Sequence, residues 1–417
     1  MIRYVIRRVL QAIPVLLFIS VIVFGLIEIS PMDPMAIYED NPNISAEDRA
    51  MLEYRLGLQQ PAFLNFRGSS GTIKAERVDL YNKPTGSGGT EPKLSGELAA
   101  GTKVAVVDGK KAEDGSWVKV LDVKERITGW TKRDNVNIRV NPLDSRYFKW
   151  FFAVLKGDLG KSNVEKRPAL EMILERLPAT LYLMSVAFIG QLLIAVPIGI
   201  LSAVKQYSLF DHFFTIGAYI GRSIPIFWFG LLLIIFFHST LEWPSWVGEG
   251  WAGKPLFPGS GMYDQRLRFE RGGSSPWWDY IYHLALPVLM LSLFGAARYM
   301  RYMRASMLEV IHQDYIRTAR AKGLKERSVL YGHALKNAAI PLVTLLALDM
   351  PSLFGGALFT ETIFSWPGMG KLFFRSAQRV DYAVLMGIVM INAVLIVLFN
   401  LVADVVYATL DPRIVYD

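Results

Sequence analysis

Residues 313–342 read QDYIRTARAKGLKERSVLYGHALKNAAIPL, and this stretch, here called the basic segment, lies between two long apolar runs. Between residues 313 and 337 it carries six Lys or Arg residues and two acids. Small residues amid long cations over 315–322 predict one helix, and Gly323 predicts its end. A second helix is predicted from Lys325 to Asn337. Because small residues at a bend allow another backbone to approach closely, the pattern indicates a docking surface.

Six long apolar runs surround the basic segment, and 52% of the whole chain is apolar. Each run is long enough to cross about 30 Å of hydrocarbon as a helix. The sequence therefore predicts an all-α multi-pass membrane protein with six transmembrane helices, in contact with membrane lipid. The predicted spans are 9–29, 179–204, 211–237, 283–303, 339–360 and 384–409.

The positions of the cations predict how the chain is oriented in the membrane. Arg3, Arg7 and Arg8 precede the first apolar run, which is longer than a signal-peptide core and lacks a small-residue cleavage site. We interpret that run as a retained span with a cytoplasmic N-terminus, so six spans leave the C-terminus in the cytoplasm as well. Residues 30–177 are then extracytoplasmic. The net charge of +8 reflects this topology, and no nucleic-acid partner is predicted.

Residues 68–140 differ from the rest of the chain in composition. Short alternating strands are separated by turn clusters rich in Gly, Lys and Asp, which predicts a small all-β domain. The predicted strands are RVDLY (77–81), KVAVV (103–107), WVKVL (117–121) and GWTK (129–132). Their spacing resembles a bacterial SH3-like (SH3b) domain, which implies cell-wall peptide as a ligand. A generic small β-barrel without a ligand is the alternative.

The chain is thereby divided into four predicted regions. An N-terminal helix and the start of an outer loop come first, followed by the β insert, an outer amphipathic helix with a GDLG segment, and a five-helix core. Their bounds are 1–67, 68–140, 141–178 and 179–417.

No catalytic constellation is found in the sequence. The phosphate-binding pattern G-x-x-x-x-G-K-[ST] and the zinc pattern H-E-x-x-H are absent, and the chain has no cysteine. Its five histidines are scattered without metal-ligand spacing. We therefore predict no catalytic residue, no metal site and no bound cofactor, and an intramembrane hydrolase is disfavoured.

The basic segment resembles the cytoplasmic "EAA" loop of ABC-importer permeases. That pattern is Glu-Ala-Ala, three residues, then Gly, and here its slots hold Arg317, Thr318, Ala319 and Gly323. The departure at the first two slots, with ARAKGL and HALKNA, matches the dipeptide/oligopeptide/nickel branch. Matches to that family cover nearly everything outside the β insert, including RRVLQAIPVLL (7–17), RLPATLYL (176–183), SIPIFWFGLLLI (223–234) and ETIFSWPGMGKL (361–372).

The resemblance implies a type I ABC-importer permease fold with the coupling loop at 306–338. It also implies three kinds of protein partner: a second homologous permease, two ATP-binding subunits that carry the ATP, and an extracytoplasmic substrate-binding protein. Short peptides are the expected cargo, with nickel complexes or other small solutes as the alternative. A membrane-anchored cell-wall sensor is the rival function. The residues expected to contact the ATPase are Tyr315, Arg317, Thr318, Ala319, Ala321, Lys322, Gly323 and Leu324.

Asp349 is an acid near the middle of the fifth predicted span. Ionisable residues inside spans are costly, so they mark either a translocation path or a helix–helix pair. In the first interpretation, Asp349 faces a cavity and meets a cationic group such as the amino terminus of a peptide. In the second, it pairs with a neighbouring helix. Arg298, in the fourth span, is interpreted as structural.

Overall fold

The structure is a computed structural model that describes residues 2–29, 51, 60–84, 93–112, 115–244, 246, 253–353 and 357–410. The chain divides into two units. One, here called the helical unit, contains Met1–Ile19 and Gly160–Asp417, and the other contains Ser20–Leu159.

Helices make up most of the described chain. In order they are α1 (Ile2–Ile29), α2 (Arg146–Leu155), α3 (Ala169–Val204), α4 (Leu209–Ser223), α5 (Ile226–Ile234), α6 (Gln265–Glu270), α7 (Trp277–Ile311), α8 (Asp314–Ala321), α9 (Glu326–Asp349), α10 (Leu358–Ile363), α11 (Met369–Gln378) and α12 (Tyr382–Leu410).

Five helices in the described part of the chain are long and apolar enough to cross a membrane, and a bent pair raises the number to six if it counts as one span. The five segments are Ile6–Leu26, Ala169–Val204, Trp277–Ile311, Glu326–Asp349 and Tyr382–Asp404.

The prediction of a continuous third span over 211–237 is wrong. α4 ends at Ser223, and α5 begins at Ile226 at an angle of 106°. Ile224 is extended, as expected for a residue that precedes proline, and Pro225 has no N–H to continue the helix. A π-helical turn, Ile235–Thr240, then lengthens α5.

Two predicted boundaries also change. α3 begins at Ala169, so the boundary predicted at 178 falls within a helix. The second helix of the basic segment and the fifth span form one helical segment, α9, which contains a π-helical turn at Val329–Ala334. α9 ends at Asp349, where the chain tightens into a 3₁₀ turn before Pro351.

The helical unit is held together by close packing of small and flexible side chains. Its largest buried cluster joins α3, α4, α7, α8 and α9 through alanines and methionines, with Met303 and Met307 fully buried. A Cβ on Gly199 would lie 2.7 Å from Met303 Cβ, so α3 and α7 approach more closely than a side chain would allow. Because lipid is as apolar as this core, tight packing rather than water exclusion drives the association.

The unit Ser20–Leu159 contains a seven-stranded antiparallel sheet in the order β3-β2-β6-β5-β4-β1-β7. All four predicted strands are present, as β2, β4, β5 and β6, and three further short strands were not predicted. The strands are β1 (Ser70–Ile73), β2 (Arg77–Tyr81), β3 (Leu94–Ala99), β4 (Lys103–Ala112), β5 (Gly115–Asp122), β6 (Ile127–Lys132) and β7 (Val136–Arg139). A glycine interrupts the pattern in β1 and in β3, whereas β7 (VNIR) alternates but is only four residues long.

The two ends of the sheet domain meet. β1 pairs with β7 so that Ser70 lies opposite Arg139, and Ile73 lies opposite Val136. The core beneath includes Leu80 and Val120, both fully buried. Because the chain enters and leaves the domain on adjacent strands, removing the domain would leave a gap that a short linker can close. The SH3-like interpretation stays a prediction.

Candidate functional site

The basic segment opens with α8, whose ends are fixed by backbone hydrogen bonds. The N–H of Ile316 donates to the carbonyl of Gln313 at 3.1 Å. At the other end, Gly323 has a φ of +74° and donates its N–H to the carbonyl of Arg320 at 2.9 Å. The predicted helix and its terminal glycine are therefore confirmed. A Cβ on Gly323 would meet no atom of this chain within 4 Å, so the space beside it is open.

The inner face of α8 anchors it to the helical unit. Ile316 is fully buried and Ala319 is 7% exposed, and both belong to the large cluster that also contains Val329 and Ala334 of α9. Residues three apart share a helix face, so the helix is amphipathic. Ala319 was expected to contact an ATPase, but its side chain is buried and packs α8 against the core of the helical unit.

The outer face carries the other seven predicted contact residues. All are exposed, and they comprise Tyr315, Arg317, Thr318, Ala321, Lys322, Gly323 and Leu324. The side chains of Tyr315 and Leu324 are 43% and 41% exposed. Apolar groups standing among cations on a short rigid helix are typical of a surface that docks against another protein.

An ion pair holds α8 against the start of α9. Arg320 donates two hydrogen bonds to Glu326, from Nη2 to Oε1 at 2.7 Å and from Nε to Oε2 at 3.1 Å. These bonds raise the pKa of the Arg320 guanidinium. Asn337 also donates to the Tyr315 hydroxyl at 2.9 Å. The sequence did not reveal either contact, because Gly323 reverses the chain between the partners.

Asp349 pairs with α7. Its Oδ2 accepts hydrogen bonds from Arg298 Nη2 and from the Tyr299 hydroxyl, both at 2.5 Å. The structure thus contains the helix–helix pair that one interpretation predicted. The Arg298 side chain is 41% exposed and that of Asp349 is 22% exposed, so the pair lies at an open face. Nothing local in the sequence links the two positions.

A second motif, ETIFSWPGMGKL (361–372), forms the end of α10, a turn and the start of α11, which together are here called the buried hairpin. Unlike the basic segment, it is buried: Glu361, Trp366 and Met369 are each 0% exposed. Glu361 accepts hydrogen bonds from the Thr180 hydroxyl at 2.8 Å and from the Lys371 N–H at 3.1 Å. Burial raises the pKa of Glu361 above its usual range, and these hydrogen bonds oppose the rise.

The described residues contain no group of three or more His, Asp or Glu side chains arranged to hold a metal ion.

Comparison with known proteins identifies the family. Residues 195–416 match the family "Binding-protein-dependent transport system inner membrane component", and residues 1–79 match the N-terminal region of such membrane components. The oligopeptide transport system permease protein AppB of Bacillus subtilis is 35% identical over 417 residues, 100% of both chains. The dipeptide transport system permease protein DppB of Escherichia coli K12 is 39% identical over 280 residues, 66% of this chain and 81% of the relative.

Among solved structures, an inward-facing MetNI methionine ABC transporter aligns with 58% of this chain and 97% of its own, at 17% identity and a TM-score of 0.42. The sequence matches carry the assignment. The chain belongs to the family of binding-protein-dependent transport system inner membrane components, the permease subunits of ABC importers.

Proposed function

We propose that this chain is a membrane-spanning subunit of an ATP-driven importer of short peptides, and that it receives work from separate ATPase subunits through the basic segment. The observation that supports the proposal best is that one face of α8 is buried while the opposite face is exposed. One face is packed into the core by Ile316, and the other leaves Tyr315 and Thr318 exposed, with Leu324 exposed just beyond the end of the helix. The peptide cargo follows from the names of the relatives, which are oligopeptide and dipeptide permeases.

The helix α9 supplies a mechanical route from the docking surface into the membrane. It has 24 residues, which corresponds to a length of about 35 Å. It begins beside α8, to which Arg320 and Glu326 tie it, and it ends at Asp349. A tilt imposed on α8 by closing ATPase subunits would therefore move the membrane end of α9. Such a tilt would shift the population between two states of the pathway.

The remaining parts of the importer are proposed from the family. The chain works beside a second, homologous permease, two ATP-binding subunits and an extracytoplasmic substrate-binding protein. Both termini lie in the cytoplasm, and residues 30–177 lie outside. The contact residues on the ATPase side are the seven exposed positions of the basic segment. ATP is bound by the partners rather than by this chain.

Cross-linking tests the docking surface directly, because the chain has no cysteine of its own. We would introduce Thr318→Cys or Leu324→Cys, assemble the full transporter and add a short thiol-to-amine cross-linker. We expect both variants to form an adduct with an ATPase subunit. Ala319→Cys is the matched control on the same helix, and its buried side chain should form none.

The same complex in proteoliposomes tests the cargo. We expect ATP-dependent accumulation of a labelled tripeptide that unlabelled peptides inhibit and that nickel complexes do not. ATP-dependent uptake without any adduct at Thr318→Cys or Leu324→Cys would contradict docking through α8. Uptake of nickel complexes in place of peptides would contradict the cargo.

The sheet domain is proposed to be accessory to transport. Its ends meet where Ser70 pairs with Arg139, which makes a clean deletion feasible. A cavity of about 650 Å³, lined in part by Arg67, Lys110 and Trp117, suits an extended ligand with carboxylates, such as cell-wall peptide. Replacing residues 70–139 by a Gly-Ser linker should leave peptide uptake within about twofold of wild type. Loss of uptake in a normally assembled complex would instead assign the domain to delivery of the substrate.

A further inference from the structure

Arg298 stands on an exposed face of α7 at membrane depth. By helical rise it lies about 20 Å from the end of α7 at Ile311. Its side chain is 41% exposed even though it pairs with Asp349. A guanidinium facing hydrocarbon is costly, so charged residues at this depth are expected to face protein or water.

The neighbours of Arg298 on that face are not lipid-like. Tyr302, Ala305 and Glu309 follow it at helical spacing, and all three are exposed. Many exposed positions of the other spans are apolar, for example Leu193 of α3, which is 70% exposed. A face that carries the Arg298 guanidinium, the Tyr302 hydroxyl and the Glu309 carboxylate suits water or protein better than lipid.

We propose that Arg298 and Asp349 form a substrate-binding pair in the translocation path, which opens to bind the two charged ends of a free peptide. This inference rests on the proposed transport of peptides. At neutral pH, such a peptide carries an ammonium group and a carboxylate. The fork of Arg298 suits the carboxylate, and Asp349 suits the ammonium group.

Tyr299 allows Arg298 to leave Asp349 for a peptide carboxylate while the Asp349 side chain stays in place. It is 3% exposed, and its hydroxyl donates to the same Oδ2 of Asp349 that Arg298 contacts. When Arg298 turns toward a peptide carboxylate, Tyr299 still holds the Asp349 side chain. Tyr299 is thus a positioning residue. Because Asp349 ends α9, a tilt of that helix would also change its separation from Arg298.

The same helix supplies a matched control. Arg304, six residues further along α7, forms two hydrogen bonds with Asp211 of α4, both at 2.7 Å. The Asp211 side chain is 3% exposed and is also bonded by the Tyr207 N–H and the Thr215 hydroxyl. The Asp211 end of this pair is buried and bonded on several sides, so we assign the Arg304–Asp211 pair to joining two helices.

The test is peptide uptake by the full transporter in proteoliposomes, with the same tripeptide supplied free, N-acetylated or C-amidated. Asp349→Asn should lower uptake of the free and C-amidated peptides about tenfold and leave the N-acetylated peptide within about twofold. Arg298→Gln should lower uptake of the free and N-acetylated peptides and spare the C-amidated one. Arg304→Gln should lower all three by one common factor.

The double variant Arg298→Gln with Asp349→Asn guards against misfolding, because it leaves no charge without a partner. We expect it to insert normally and to take up all three peptides at similar low rates. The inference would be overturned if the double variant still discriminated among the three peptides as wild type does. It would also be overturned if each single variant lowered uptake of all three peptides by the same factor. Either result would leave the proposed function standing. A wild-type transporter that takes up none of the peptides with ATP would overturn both.

Discussion

The basic segment and the buried hairpin are both short helix–turn–helix stretches, and both match the same permease family, yet they differ in exposure. In the basic segment, seven of the eight predicted contact residues are exposed. In the hairpin, Glu361, Phe364, Trp366 and Met369 are almost completely buried. Two stretches that match one family can therefore differ in whether their side chains are exposed or packed inside the chain, and only the exposed stretch is available to a partner.

The largest effect is expected from Trp366→Ala in the hairpin. Trp366 is fully buried, and its indole N–H donates to the carbonyl of Ala179 at 2.9 Å. Truncating a buried Trp costs about 3–5 kcal/mol, so we expect little folded protein and a marked fall in thermal stability in detergent. Trp277→Ala, at a side chain that is 74% exposed, is the control and should change little. A Trp366→Ala protein as stable as wild type would contradict the view that the hairpin motif serves packing within the chain.

Gly323→Arg in the basic segment should abolish peptide uptake without unfolding the chain. A Cβ at this position meets no atom of this chain within 4 Å, so the main cost is the strain of the positive φ, about 1 kcal/mol. An ATPase docked on α8 would meet the arginine directly. Insertion, melting temperature and uptake should be measured together.

Gly272→Arg is the matched control for that experiment. Gly272 also has a positive φ, +67°, and open space around a Cβ, but it lies between α6 and α7. We expect equal strain and retained uptake there. Normal uptake by Gly323→Arg would argue against docking, and equal loss in both variants would attribute the effect to the backbone.

The smallest effect concerns pH. Burial raises the pKa of Glu361, so the folded chain binds this proton more tightly than the unfolded chain does. Protonated Glu361 therefore makes its whole contribution to the free energy of unfolding below the ordinary glutamate pKa of about 4.3. That contribution is lost as the pH rises through the pKa that Glu361 has in the folded chain. In Glu361→Gln this dependence should disappear, which is visible as a flatter plot of melting temperature against pH. A steeper plot in the variant would contradict the expected direction of the Glu361 pKa shift.

Much of the fold could be predicted because it depends on local pattern. Apolar runs located five spanning helices, alternation located four strands, and Gly323 marked the end of α8 correctly. The break between α4 and α5 was missed even though Pro225 was visible in the sequence. A proline inside an apolar run is compatible with a continuous spanning helix, and only the surrounding packing decides whether the helix bends.

The site was predicted less completely. The sequence located the exposed cations of the basic segment, but it could not separate Ala319 from Ala321, because the same residue type faces inward at one position and outward at the other. It identified Asp349 as unusual but did not reveal its partner. Arg298 lies 51 residues earlier in the chain and meets Asp349 only because α7 and α9 pack together.

The sequence by itself determined that this is a multi-pass helical membrane protein with a basic segment between two apolar runs and a β-rich insert. Hydropathy, charge position and strand alternation are properties of the local chain, and they need no tertiary information. Only the tertiary structure decided which charges meet, which motif is buried and where a span bends. Those features depend on contacts between residues far apart in sequence, and their energies follow from burial and distance rather than from residue type.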